Sequence, residues 1–377
     1  MKKTLISLLA LAILTGCQND DTDFSAYTSD TGSVTTIYIN YNGTTVSVSG
    51  DTQGVVTTDG THVTVNSQYA DSLLLVLGGT TADGSLLVNR SRPYGICLNG
   101  VSITNTAGPA INNQCKKTLY VQCTDGTTNT LTDGTSYAER TIDQKGTLFS
   151  EGQVFFLGSG TLNVYANSKN AIASDDYIVI DDRIVINTYT SATGSNGLKA
   201  NDGLYINGGT LNIDVASEGG RGINCDSVTV ITGGTTTINT SGDCKIETVD
   251  GVADTTSAAC IKSDYPFTMT SGTLTMTSSG DGGKCINCKG DVLFKGGTRS
   301  AVTTGSNING KPKAIKSDTG IIVSGGNFYA DVDKSWACDN GYEDDALSNS
   351  ELALKRITVE GTPLTKYITK KTVIIRY

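Results

Sequence analysis

The sequence predicts an all-β fold, a right-handed parallel β-helix with three short strands per rung and capped ends. Three observations predict it: a repeat of roughly two dozen residues, strict alternation of apolar and polar residues inside each copy, and the near absence of helical period. Copies begin at Thr161, Arg183, Thr210, Thr235, Thr273, Thr298 and Asn327, spaced 22, 27, 25, 38, 25 and 29 residues apart. A recurring period of this size marks a solenoid, because each unit is too small to bury an apolar face alone and must stack on its neighbours. Within the copies the alternation runs Leu162/Val164, Ile184/Ile186, Leu211/Ile213 and Leu274/Met276, and a period of two belongs to a strand. Helix formers are scarce beside Thr, Ser, Gly and Asn. Right-handedness follows from the crossover rule for parallel strands.

The elements follow in chain order. Residues 1–16 read as a lipoprotein signal peptide: Lys2 and Lys3 precede an apolar run over 5–14 that is too short to span a bilayer. Leu14-Thr15-Gly16-Cys17 resembles the bacterial lipobox, which implies cleavage before Cys17 and its acylation. The Gln18-Asn19-Asp20-Asp21 run resembles a surface-export tag, so the expected location is the outer membrane, facing the cell exterior, with periplasm-facing as the alternative. Residues 17–33 are the lipidated cysteine and a polar tether without apolar period. Residues 34–377 form a single β-helix domain. Its first strands, over 34–66, make the N-terminal cap. In each rung a second strand carries one apolar residue: Ile172, Leu198, Ile223, Ile261, Ile286 and Ile315. A third strand ends in Ile178/Ile180, Leu204/Ile206, Val228/Val230, Phe267/Met269, Val292/Phe294 and Ile321/Val323. The 38-residue spacing holds an insertion across 244–258. Residues 357–377 form a closing hairpin, and the acidic loop 339–345 before it is a further place for a cation.

Taking Lys2 and Lys3 from a net charge of −9 leaves −11 on the mature chain, which argues against a nucleic-acid partner. Such a charge suits calcium or life outside the cell. Ten cysteines include Cys17, so nine remain and at least one is unpaired in a monomer. Cys260 and Cys285 share a repeat position on neighbouring rungs, within reach of a disulfide by separation, whereas Cys225 and Cys288 lie two rungs apart. The preferred reading of all nine is small buried filler. No zinc spacing is present, and His62, the single histidine, is read as solvent-facing or turn-associated.

Register turns the copies into surface columns. One residue after the second-strand apolar position come Ala173, Lys199, Asn224, Lys262, Asn287 and Lys316; three after it come Asp175, Asn201, Asp226, Asp264, Lys289 and Asp318. The stripe of Lys199, Asn224, Lys262, Asn287 and Lys316 is the candidate ligand surface, lysines for uronate carboxylates and asparagines for hydroxyls. A polysaccharide repeats as the rungs do and gains by multivalency. The other reading is that the lysines only offset the aspartates, as exposed ion pairs worth little. Eight residues after each repeat start stand Glu218, Asp243 and Asp281, flanked by Lys169, Ser191, Ser306 and Ser335. Carboxylates stacked about 5 Å apart repel, and a hard divalent cation with six to eight oxygen ligands would offset that. Calcium is therefore expected at Glu218, Asp243 and Asp281, and separately at Asp226 and Asp264 with Asp175 or Asn201 nearby. Against it, Asp, Asn and Gly are ordinary turn residues. Aromatic residues do not line up: Tyr177, Tyr205 and Tyr265 come nearest, and Trp336 is assigned to the C-terminal cap.

Residues 96–134 read Ile-Cys-Leu-Asn-Gly-Val-Ser-Ile-Thr-Asn-Thr, then Gly-Pro-Ala-Ile, then Leu-Tyr-Val-Gln-Cys-Thr-Asp-Gly-Thr-Thr-Asn-Thr-Leu-Thr-Asp-Gly. With the Gly-Gly-Thr-Leu strand start that follows, this resembles the calcium-containing parallel β-helix family of bacterial carbohydrate-binding proteins, binders of pectin and cellulose with a pectate-lyase-like fold. The resemblance covers most of residues 57–330 and implies a carbohydrate-binding role and bound calcium. The expected function is a lipid-anchored, surface-exposed polysaccharide-binding protein that prefers acidic, pectin-like, uronic-acid-containing glycans, with calcium. The alternative is a calcium-dependent polysaccharide lyase, with Lys262, flanked by Asp264 and one rung from Asp226, as the base. A third reading is a structural adhesin or stalk, since fold does not fix function.

Overall fold

A chain this rich in Thr, Ser, Gly and Asn has little to bury except the alternate apolar residue of each copy, and those residues build the interior. In a computed structural model, which describes residues 34–69, 72–181, 183–249 and 251–377, the domain is a parallel β-solenoid of about 11 turns. The expected signal peptide, Cys17 and the tether lie outside the described residues. Second strands stack into a 12-stranded sheet, and first and third strands share a 23-stranded one. Along the 12-stranded sheet Leu148, Ile172, Leu198, Ile223, Ile261, Ile286 and Ile315 pair rung on rung and are fully buried. Each such side chain contributes about 2 kcal/mol relative to leaving it in water.

Two registers differ from the sequence reading. Val185, not Arg183, pairs with Thr161 and Thr210, so the rungs there are 24 and 25 residues long and the inward pair is Ile186 and Thr188. A slip of two residues leaves the in/out alternation unchanged, so periodicity alone does not detect it. In the third strand Thr229 and Ile231 point inward instead of Val228 and Val230. The buried Thr229 hydroxyl is satisfied 3.2 Å from the Ser263 hydroxyl, so a polar residue sits where apolarity was expected.

Both ends are closed by other structure. Val34–Asn42 pairs parallel with Ser72–Thr81 and antiparallel with Val46–Ser49. At the C-terminal end Thr365–Ile368 and Thr372–Arg376 form the expected hairpin, whose second strand runs antiparallel along Asn327–Val332 and buries Val373 and Ile375. A short helix, Asn349–Lys355, precedes it, capped reciprocally by Ser348 and Glu351. The sequence reading did not expect this helix, since seven residues are too few to show a helical apolar period. The insertion is an antiparallel hairpin of Lys245–Val249 and Val252–Thr256. All nine described cysteines are buried free thiols; Cys260 and Cys285 donate to the carbonyls of Thr277 and Val302.

Candidate functional site

The Lys/Asn stripe forms as a true ladder: Lys199, Asn224, Lys262, Asn287 and Lys316 are paired rung by rung, and the column ends at Asp339. Its lysines meet the neighbouring carboxylates. Lys199 lies 2.5 Å from Asp226, Lys262 lies 2.5 Å from Asp264 and 3.7 Å from Asp226, and Lys289 lies 3.0 Å from Asp264. Burial raises the Asp264 carboxyl, but hydrogen bonds from Lys262 and Lys289 outweigh it and hold the group below its ordinary value. Asp175 is held by Lys145 at 2.5 Å. Most of the stripe is thus an internally neutralised surface. Lys316, at its last rung, pairs with Asp318 in the same way and also lines a cleft.

The acidic ladder is in register as well. Gly219 N donates to Asp243 O at 2.8 Å and Asp281 N donates to the Asp243 carboxylate at 2.8 Å. The rung before is represented by Thr193, since Gly194 N donates to Glu218 O, and not by Ser191. The Asp281 carboxylate accepts from the Ser306 hydroxyl at 2.6 Å and from Ile308 N and Asn309 N, both at 2.8 Å. Burial works against its charge, and these donors win, keeping its carboxyl below the ordinary range. Asp281 is therefore a cap for the turn over 306–309. Among the described residues, the three carboxylates whose oxygens approach one point are Asp143, Glu151 and Asp175, and Lys145 already bonds two of them.

Positive charge gathers at the C-terminal end. Two residues before the second-strand apolar position runs the column Asn196, Arg221, Ala259, Lys284, Lys313, Trp336. From Lys284 onward it forms one wall of a cleft of about 610 Å³. The sheet supplies Lys284, Lys313 and Lys316, the turns supply Lys311 and Lys334, and the cap adds Arg356 and Lys370. Two acids, Asp339 and Glu343, line the cleft with these seven cations, and two more, Asp318 and Asp333, pair with Lys316 and Lys334. Asp339 takes ion pairs from both Lys313 and Arg356, and its carboxyl stays below the ordinary range although burial opposes this. Trp336 meets two cations of the cap, with the Arg356 guanidinium 4.3 Å and the Lys370 ammonium 4.9 Å from its ring centre. These contacts tie the last rung to the cap. Lys284 is 8% exposed and donates to the Ser257 hydroxyl of the insertion. Burial, then the charges of Lys316 and Lys313, push its ammonium down to about 8. Positive charge in a concave site raises the local concentration of anions.

Lys284, Lys313 and Trp336 share one repeat position, so that column was readable from the sequence. Arg356 and Lys370 come from outside the repeat, and no register places them. The aromatic residues also differ from expectation. Tyr177 and Tyr205 touch edge to face at 6.2 Å, and Tyr165 and Tyr189 line up on adjacent rungs, with ring centres 4.9 Å apart and planes 9° from parallel. The two-residue slip at Arg183 had separated that second pair.

Comparison with known proteins bears on the repeats and the fold. A family model described as carbohydrate-binding domain-containing protein matches residues 59–227 and 205–307. A carbohydrate-binding domain-containing protein of Acetivibrio thermocellus is 30% identical over 112 residues, 28% of this chain and 39% of that protein, so the match spans well under half the relative's length. The solved gadolinium derivative of the polysaccharide lyase-like protein from C. thermocellum superposes with a TM-score of 0.55 at 24% identity, over 68% of this chain and 96% of that one. That likeness concerns the fold.

Proposed function

The chain belongs to the carbohydrate-binding domain family, and from that premise we propose that it binds acidic polysaccharide, uronic-acid chains of the pectin type, in the basic cleft. The observation that carries this reading is the convergence of seven cationic side chains on one concave site of a protein whose net charge is −9. The lipid anchor at Cys17 and display at the cell surface complete the proposal and rest on the sequence alone. In the two expected columns Asp281 accepts from turn donors, and Asp226 and Asp264 pair with lysines. The cleft reading is not routed through a metal. If these columns hold no cation, any rise in melting temperature that calcium produces should survive Asp281→Asn and Asp264→Asn; a rise lost in either variant would restore a cation to these residues.

The test is calorimetric titration with polygalacturonate and with its fully methyl-esterified form, which keeps the backbone and removes the charge. Tight binding of the first and weak binding at the cleft of the second is expected; equal binding ends the proposal. A pH series sharpens it. Lys284 carries its proton below about 8 and loses it above, so affinity for the polyanion should fall between pH 7 and 9. Stability should move the other way. The folded value lies below the ordinary 10.5, so between about 8 and 10.5 the unfolded chain holds a proton the folded chain has shed, and stability rises with pH across that window. Lys284→Met should flatten both trends.

The same lysine supports a second reading, a lyase. Here Lys284, not Lys262 in its aspartate cage, would take the proton beside a uronate carboxylate held by Lys313 and Lys316; the C–O bond to the glycosidic oxygen would break as the double bond forms, and that oxygen would gain a proton from water or from the Lys284 ammonium and leave as an alcohol. Ultraviolet absorbance recorded during the polygalacturonate titration separates the readings: binding without unsaturated product leaves the binder.

A further inference from the structure

Tyr165, Tyr189, Asp214 and Asn239 occupy one outward position on four successive rungs of the first-strand column. Both tyrosines are 39% exposed, and their rings lie face to face. On the next two rungs the column changes from aromatic to short and polar, and a groove of about 290 Å³ opens against the tyrosine pair. Asn239 Nδ2 donates to one Asp214 carboxylate oxygen at 2.9 Å. The other Asp214 oxygen and the Asn239 carbonyl oxygen have no protein partner among the described residues. No lysine or arginine lines the groove.

We propose that this groove is a second glycan site, distinct from the basic cleft, that takes an uncharged pyranose segment. A flat aromatic wall packs against the C–H face of a sugar ring. The free Asp214 oxygen and the Asn239 side-chain oxygen accept from its hydroxyls, which need acceptors when they leave water. The lone carboxylate repels a uronate, so the groove excludes the ligand that the cleft attracts. Two sites of opposite charge preference on one solenoid let the protein hold a glycan that mixes neutral and acidic regions, or join two chains, with the avidity of linked sites. Nothing in this inference depends on the cleft.

The experiment is calorimetric titration of the chain with uncharged xylo-, manno- and gluco-hexasaccharides, run beside polygalacturonate. Wild type should bind at least one hexasaccharide. Tyr189→Ala should weaken that binding about tenfold, the usual cost of losing a central aromatic contact. Tyr189→Phe, which keeps the ring, should retain it, and Asp214→Ala should weaken it while leaving the tyrosine stack intact. Polygalacturonate binding should be unaffected by all three. The proposal is overturned if no hexasaccharide binds wild type, or if Tyr189→Ala and Asp214→Ala both leave hexasaccharide binding unchanged. A tyrosine pair that only stiffens the sheet would lower the melting temperature in Tyr189→Ala without changing the affinity of Asp214→Ala.

Discussion

Replacing Arg356 with alanine should weaken polygalacturonate binding roughly thirtyfold, about 2 kcal/mol, at low salt. The reason lies in Asp339. Its carboxylate is shared by Lys313 and Arg356, and the Arg356 guanidinium also rests on the Trp336 ring. Removing the guanidinium takes away one attraction for the ligand. It also leaves Asp339 less neutralised, facing the same ligand, and frees Trp336 from the cation that fixes it. The fold should survive. Lys313 still holds Asp339, so the loss of stability stays near 1 to 2 kcal/mol, short of the 3 to 5 that a fully abandoned buried charge costs. By contrast Lys334→Ala removes a half-exposed charge paired with Asp333 and should cost only a few-fold in affinity. Raising the salt concentration should shrink the Lys334 effect more than the Arg356 effect, because screening acts most strongly on exposed charge. Calorimetry and a thermal melt in one buffer check all of this; an Arg356→Ala protein that binds as wild type would remove the cleft from the proposed function.

The largest stability loss is expected from Gly280→Ala. The turns after the first strands stack so closely that a Cβ on Gly280 would lie 1.9 Å from the Gly242 carbonyl oxygen. A Cβ on Gly242 would lie 1.9 Å from the Ser217 oxygen, and one on Gly305 would lie 1.8 Å from the Gly280 oxygen. These are backbone atoms of tight turns, with Ser217 O bonded by Gly220 N and Gly280 O by Gly283 N, so neither side yields easily. A cost of about 3 kcal/mol or more follows, the upper range for overpacking. The constraint is separation between rungs, since the Gly280 backbone is not in the left-handed region. Gly100 provides the contrast: its φ is +71° and nothing lies near the position of its Cβ. Gly100→Ala should therefore cost only the left-handed penalty, about 1 kcal/mol. Because a solenoid is stabilised by neighbour contacts, the Gly280 damage should appear first as faster hydrogen exchange in the turns around Ser217, Gly242 and Gly305, before global unfolding.

The same local character explains what could be read from the chain before its shape was known. Each rung repeats one pattern on one length scale, so the solenoid, its strand columns, the Lys/Asn stripe and the Glu218/Asp243/Asp281 ladder all follow from period and alternation. The misses were also local. The register at Arg183 slipped by two residues, which alternation does not detect, and that slip hid the Tyr165/Tyr189 stack. Thr229 broke the apolar rule because a neighbouring hydroxyl satisfied it.

Sequence alone thus determined the fold class and which residues share a column, since both depend on spacing along the chain. Only the tertiary structure decided what each column does. Whether a lysine is neutralised or free, and whether a carboxylate caps a turn or stays open, depends on side chains that reach it from other rungs. The basic cleft adds a harder case. Lys284 and Lys313 lie in the repeat, but Arg356 and Lys370 arrive from a helix end and a hairpin outside it. Their convergence with Trp336 is set by how the cap packs on the last rungs, a long-range contact with no period to announce it.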